Sequence, residues 1–181
     1  MSTLIYSATM SLDGFIAGPG GDMSWLTPHL EGPNPDADAL VPRVGAVLVG
    51  GTTFRGDDPN RGDAEKEGAF SGGWEGPHVV LTRRPPVRPA AGLTFVSDVG
   101  EAITTAREAA GDLDVHVLGA VTARACLDAG ALDEIVVFVA PVLLGDGVRL
   151  FERPGGTDVR LERLAAGGPP NASYLRYRVL R

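Results

Sequence analysis

Four short segments of this chain combine residue types suited to holding an anionic ligand. Gly50, Thr52 and Thr53 in Val49-Gly-Gly-Thr-Thr-Phe54, and Thr82, Arg83 and Arg84 after Leu81, supply hydroxyls and guanidinium groups that bind phosphate oxygens. Leu118-Gly-Ala-Val-Thr122 places small residues between an apolar run and a helix start, where backbone N–H groups are free and a pyrophosphate can approach. The fourth segment, Ser11 to Trp25, is a glycine-rich loop that ends in a large aromatic residue. Each has a plainer reading. A threonine after a strand commonly caps a helix, paired arginines commonly form a solvated edge, and Trp25 commonly would pin a surface loop. The segment at Gly119 also lacks the full Gly-x-Gly-x-x-Gly spacing of a dinucleotide-binding turn.

Other chemistries find less support. His29, His78 and His116 have no metal-ligand spacing, and His116 in Val115-His-Val117 reads as a structural histidine; no metal is expected. No serine lies in a Gly-x-Ser-x-Gly elbow. The lone Cys126 sits in an apolar helical context and reads as a core residue.

The four segments have to be brought together by the elements that precede them. Short apolar runs bounded by glycine, proline or turn residues occur at 3–10, 44–49, 78–82, 93–96, 114–118 and 134–140, as expected of strands buried on both faces. Between them, Asp98 and Glu101 have capping-box spacing ahead of a stripe of Val99, Ala102, Ile103, Ala106 and Ala110, and a second helix is expected from near Thr122 to Gly130. This order argues for an α/β fold with a mostly parallel sheet covered by helices on both faces, in three layers. Alternating patterns at 159–164 and 173–181 predict an antiparallel hairpin that finishes the sheet. The glycine-rich stretch 55–77 reads as a flap rather than core.

The chain has 181 residues, enough for one full-sized domain, and a mean hydropathy of +0.06 places it among ordinary soluble proteins. A net charge of -7 and a pI near 4.9 argue against a nucleic-acid backbone or an anionic membrane as partner, and for a small ligand. With no spanning segment and no secretory signal, the cytoplasm is the expected address.

The order of the four segments resembles the dihydrofolate reductase-like family, especially its riboflavin-biosynthesis reductase branch. The resemblance runs over nearly the whole chain and is carried by Ser11-Leu-Asp-Gly-Phe-Ile-Ala17 with Trp25, by Asp57-Asp-Pro59 with Arg61, and by Ala129-Gly-Ala-Leu-Asp-Glu134 continuing into Ala140-Pro-Val-Leu-Leu-Gly-Asp-Gly147 and Leu150-Phe151. It implies an NADPH-dependent reductase that transfers hydride to a small heterocyclic or carbonyl substrate. Thr9, Ile16 and Ala17 would then lie beside the nicotinamide, and Gly50, Thr52 and Thr53 would meet the phosphates. Leu81, Thr82 and Arg83 would hold the adenosine end, with Arg83 on the 2'-phosphate, and Leu118, Gly119, Ala120, Val121 and Thr122 would cradle the pyrophosphate.

The chain also departs from its relatives. Gly51 stands where many carry arginine, and Ala120 where a second glycine is usual. Phe15 and Leu118 stand where riboflavin reductases usually have lysine and glutamate, so substrate contacts would fall to residues such as Phe15 and Trp25, and the riboflavin intermediate is not the expected substrate. The acidic register of dihydrofolate reductases falls near Leu30, which leaves Glu31 and Asp13 as candidate catalytic acids; Asp13, before a glycine, has a turn-forming reading as well. A non-catalytic nucleotide-binding module is the alternative and a flavin-dependent oxidoreductase ranks behind it. A homodimer is expected from apolar edge strands and the stretch Val136 to Leu144.

Overall fold

The structure, a computed structural model, describes residues 2–30, 32–56, 58, 60, 65, 68–70, 72–88, 91–156 and 158–181. Glu31, Asp57, Pro59 and Arg61 lie outside the described residues.

Six strands occupy the apolar runs: β1 (Leu4–Ser11), β3 (Val44–Gly50), β4 (His78–Leu81), β5 (Leu93–Val96), β6 (Asp114–Leu118) and β7 (Glu134–Ala140). With the C-terminal pair β9 (Leu161–Gly167) and β10 (Ser173–Val179) they form one eight-stranded sheet in the order β5-β4-β3-β6-β1-β7-β10-β9. The first six strands in this order pair in parallel, and β10 runs antiparallel to both β7 and β9. The mixed α/β architecture and the terminal hairpin therefore match the pattern in the sequence, with the hairpin's first strand displaced a few residues toward the C-terminus.

Side chains alternate across the sheet, and both faces are covered. On one face Leu4, Tyr6, Leu48, Val115, Val117 and Val137 pack against Ala102, Ile103 and Ala106 of α3 (Val99–Ala110) and Ala123 and Cys126 of α4 (Ala120–Asp128). On the other, Ile5, Val136 and Phe138 meet Leu40, which follows the short α1 (Pro35–Asp38), and Tyr174. Burying a side chain such as Leu48 or Ile5 contributes about 1.5–3 kcal/mol, which is why these strands read as continuous apolar runs. The Asp98 carboxylate caps α3 by accepting from the Glu101 N–H at 2.9 Å, as the capping-box spacing predicts.

Three features differ from the sequence reading. The helix expected near Thr122 already begins at Ala120, because Gly119 takes a φ of 92° and turns the chain directly out of β6. The glycine-rich segment after β1 contains a strand, β2 (Phe15–Ala17), paired antiparallel with β8 (Val148–Arg149). Most of the β7 part of the stretch Val136 to Leu144 is also inside the sheet rather than on a surface. Val136, Val137, Phe138 and Ala140 are buried in β7, between β1 and β10, and Leu143 is the exposed apolar residue beyond them. The large exposed apolar residues of the β9 edge are Leu161 and Leu164.

Candidate functional site

In a parallel sheet the carboxyl ends of neighbouring strands open at one edge, and β4, β3, β6 and β1 stand side by side here. Their turns touch one another through glycine and threonine. A Cβ placed on Gly50 would lie 2.5 Å from Thr122 Oγ1, and one on Gly51 would lie 2.7 Å from Thr82 Oγ1. A Cβ on Gly119 would collide with Thr53 Oγ1, and the φ of 92° at Gly119 is itself in the region that favours glycine. These contacts bring together the turns after β3, β4 and β6, and with them Gly50, Thr53, Thr82, Gly119 and Thr122. Thr52 and the four-residue helix α2 (Gly51–Phe54) follow directly from β3, and Arg83 lies exposed just beyond Thr82. No side chain caps the start of α4, so the first N–H groups of that helix, at Ala120, Val121 and Thr122, have no intrahelical or capping partner. Hydroxyls, uncapped helix-start N–H groups and an arginine at the carboxyl ends of these strands form a cradle whose chemistry fits a dinucleotide phosphate.

Next to the cradle, on the sheet face opposite α3 and α4, lies a cavity of about 670 Å³. Its floor includes Ser7 and Thr9 of β1, Val47 and Val49 of β3, Leu118 and Phe138. Met23, Leu26, Leu30, Asn34 and Leu40 form one wall, and Thr53, Phe54, Arg55 and Phe70 are in the other. Thr9, Thr53 and Leu118 are thus shared between the expected cofactor residues and a mostly apolar chamber. Leu30, near which the acidic register of dihydrofolate reductases is expected to fall, lines this cavity and offers no proton. Asp58 is the carboxylate among the described lining residues, and it accepts the N–H groups of Asn60 and Gly68, each at 2.8 Å.

Phe15, Ile16 and Ala17 do not line this cavity. They form β2, where the Phe15 ring is buried beneath the Arg149 guanidinium, 4.5 Å from its centroid, and Ala17 O abuts Gly147, where no Cβ fits. Trp25 does not line it either; it belongs to a helical turn, Ser24–His29, and its indole N–H is buried without a partner among the described residues.

Asp13 has a structural position. Its carboxylate accepts from Ser11 Oγ at 2.6 Å, from the Gly145 N–H at 2.7 Å and from the Leu144 N–H at 3.1 Å. The Ser11 hydrogen bond, with help from those two amides, lowers its pKa to about 2, so it holds no proton near neutral pH. Two of the segments that carry the family resemblance are joined at this carboxylate. The Leu12 N–H, bonded to Val142 O at 2.8 Å, and the Leu150 N–H, bonded to Gly14 O at 2.9 Å, add to the same junction.

Nothing in the sequence singles out Ser7, and His116 has the buried strand setting expected of a structural histidine. His116 is fully buried, its Nδ1 lies 3.1 Å from Ser7 Oγ, and its Nε2 has no partner among the described residues. Burial, reinforced by the positive charge of Arg176 and opposed by Asp114, lowers its pKa to about 4.

A model of the RibD C-terminal domain family matches residues 2–169. The chain belongs to that family. Among solved structures it is similar to a protein assigned to riboflavin biosynthesis from Shewanella sp. PV-4, with 24% identity, a TM-score of 0.74 and 99% of each chain covered. It is also similar to dihydrofolate reductase from Enterococcus faecalis complexed with NADP(H), with 20% identity, a TM-score of 0.61, and 99% of this chain and 97% of that one covered. Against the bifunctional deaminase/reductase of Thermotoga maritima the identity is 18% and the TM-score 0.69, with 99% of this chain covering 57% of that one, so this chain spans a little over half of that protein. No curated protein sequence matches. Membership in the RibD C-terminal domain family makes the chain a reductase of the dihydrofolate reductase-like fold.

The cradle explains two departures within the family. Ala120 is the first residue of α4, and the left-handed position is Gly119, so a methyl group at 120 meets no backbone restriction. Gly51 faces Thr82 so closely that a larger side chain at position 51 has no room unless Thr82 moves.

Proposed function

We propose that this chain is an NADPH-dependent reductase that delivers hydride to a C=N or C=O bond of a small heterocyclic or carbonyl substrate seated in the 670 Å³ cavity. The observation that carries this reading is that Thr53 of the glycine-threonine cradle and Leu118, which directly precedes its Gly119, line that cavity together with Thr9 of β1. NADPH, when bound, supplies the hydride; the protein's part is to hold both reactants and keep water out.

In this reading Gly50, Thr52, Thr53 and the start of α4 hold the pyrophosphate. Leu81, Thr82 and Arg83 hold the adenosine end with its 2'-phosphate, and Thr9, Ile16 and Ala17 border the nicotinamide. The apolar walls at Leu26, Leu30, Leu40 and Phe138 exclude water and favour a flat, uncharged ring. Asp13 serves the turn and not proton transfer, so proton delivery falls to Glu31, which follows Leu30 in the sequence. Phe15 and Trp25 do not line the cavity and make no direct substrate contact in this reading.

The test is NADPH oxidation across pterins, ribosylamino-pyrimidines, quinones and aldehydes, with calorimetry for cofactor binding. Saturable NADPH binding with turnover of one class supports the reading. Tight binding with no oxidation of any of them supports the non-catalytic module instead, which is favoured by one observation: the carboxylate among the described lining residues, Asp58, is committed to backbone N–H groups. We further assign the enzyme to the cytoplasm as a homodimer joined through the β9 edge, which light scattering tests directly.

A further inference from the structure

We propose that Ser7 and His116 form a substrate-reading pair, in which His116 turns the Ser7 hydroxyl so that it donates a hydrogen bond to an acceptor atom of the ring in the cavity. The inference rests on the reductase reading for the identity of the cavity's occupant, and on separate observations for its chemistry.

Ser7 lines the cavity floor on β1, two residues before Thr9. Its Oγ lies 3.1 Å from His116 Nδ1, and which group donates depends on where the imidazole carries its hydrogen. The ring is fully buried in β6, between the paired residues Ile5 and Val47, with the Phe70 ring 5.2 Å away. Desolvation keeps it neutral at pH 7, so there is one N–H to place. A hydrogen on Nε2 would be a buried donor without a partner among the described residues. Orphaned buried N–H groups are rarer in proteins than under-satisfied acceptors, which favours the hydrogen on Nδ1. Nδ1–H then donates to Ser7 Oγ and occupies an acceptor site of the hydroxyl. The Ser7 hydrogen is left to point into the cavity, and accepting from His116 polarises it as a donor.

The pair therefore selects a ring that presents a carbonyl oxygen to β1, against one that presents an amino group there. An amino group there can only donate to the remaining lone pair of Ser7 Oγ, which turns the Ser7 hydrogen toward the apolar walls and leaves it unpaired. His116 is a positioning residue in this scheme, and Ser7 makes the contact.

The experiment uses two fluorescent probes, lumazine and 2,4-diaminopteridine, whose amino groups put donors where lumazine has carbonyl acceptors. Binding is measured at pH 7 on the full chain, with and without NADP+. The wild type is expected to prefer lumazine by about fivefold or more, the equivalent of one net hydrogen bond. Ser7→Ala abolishes that preference, Ser7→Thr retains it, and His116→Phe weakens it, all with unchanged NADP+ affinity. A preference that survives Ser7→Ala, a wild type that binds the probes equally or prefers the diamine, or a wild type that binds neither, overturns the inference. Failure of the wild type to bind NADP+ rejects the reductase reading instead, whatever the probes do.

Discussion

The carboxylate of Asp13 accepts the N–H of Gly145 at 2.7 Å, across 132 positions of sequence. With the Leu144 N–H and the Ser11 hydroxyl on the same group, this contact fastens the loop after β1 to the turn after β7. Asp13 is therefore explained by turn anchoring, and the Ser-Leu-Asp-Gly and Leu-Gly-Asp-Gly segments are two halves of one joint.

Replacing Asp13 by alanine is expected to free the Leu144 and Gly145 amides. Hydrogen exchange at these two positions should rise roughly tenfold or more, as local opening becomes easier, while exchange in β3 and β6 stays unchanged. Because the lowered pKa of Asp13 is about 2, its contribution to stability is present above about pH 4 and lost as pH falls toward 2. A pH–rate profile for the reductase that is unchanged by this substitution, apart from any loss of stability, separates anchoring from catalysis.

The interlock at Gly119 leads to a second expectation. Gly119→Ala puts a Cβ into Thr53 at a φ of 92°, so the turn after β6 must move away from the turn after β3. We expect a cost of about 1–2 kcal/mol in stability and a loss of NADPH affinity of roughly tenfold or more. Ala120→Gly, by contrast, should leave the affinity within about twofold, since Ala120 already has a helical backbone. Calorimetry on both variants checks the pair.

Arg83 is exposed, one residue beyond the Thr82 hydroxyl that meets Gly51. Removing it as Arg83→Ala should weaken NADPH by about ten- to a hundredfold, the value of one charge-assisted hydrogen bond. NADH affinity should change little. Equal losses for the two cofactors would show that the 2'-phosphate lies elsewhere, with Arg84 the next residue to replace.

His116 makes stability depend on mildly acidic pH. Its folded-state pKa of about 4 lies below the ordinary 6.5, so between these values the unfolded chain takes up a proton that the folded chain refuses. Stability should fall as pH drops from about 6.5 to 4 and then level off for this group, by on the order of 3 kcal/mol. Urea unfolding at several pH values, in the wild type and in His116→Phe, isolates the effect: the variant should lose this part of the slope.

The strands were legible because both faces of the sheet are covered, which makes 44–49 or 134–140 continuous apolar runs with turn residues at each end. The capped start of α3 was legible in the spacing of Asp98 and Glu101. The site was legible only as four separate turns. Its assembly depends on contacts such as Gly50 with Thr122 and Gly119 with Thr53, which join residues more than sixty positions apart and leave no periodic trace. β2 and β8, at three and two residues, are too short for any pattern to mark. Ser7 and His116 were hidden for a different reason: inside apolar strands they look like satisfied core residues, and only the cavity beside Ser7 and the unpartnered Nε2 distinguish them.

The central claim is that the turns after β3, β4 and β6 form one cofactor cradle that opens on the cavity. Hydrogen exchange with and without saturating NADPH tests it most directly. The account predicts simultaneous protection at residues 50–53, 82–83 and 119–122, with weaker effects in α3 and in the β9–β10 hairpin. Protection confined to one of these turns, or centred on the opposite end of the sheet, or no response to NADPH at all, would contradict it.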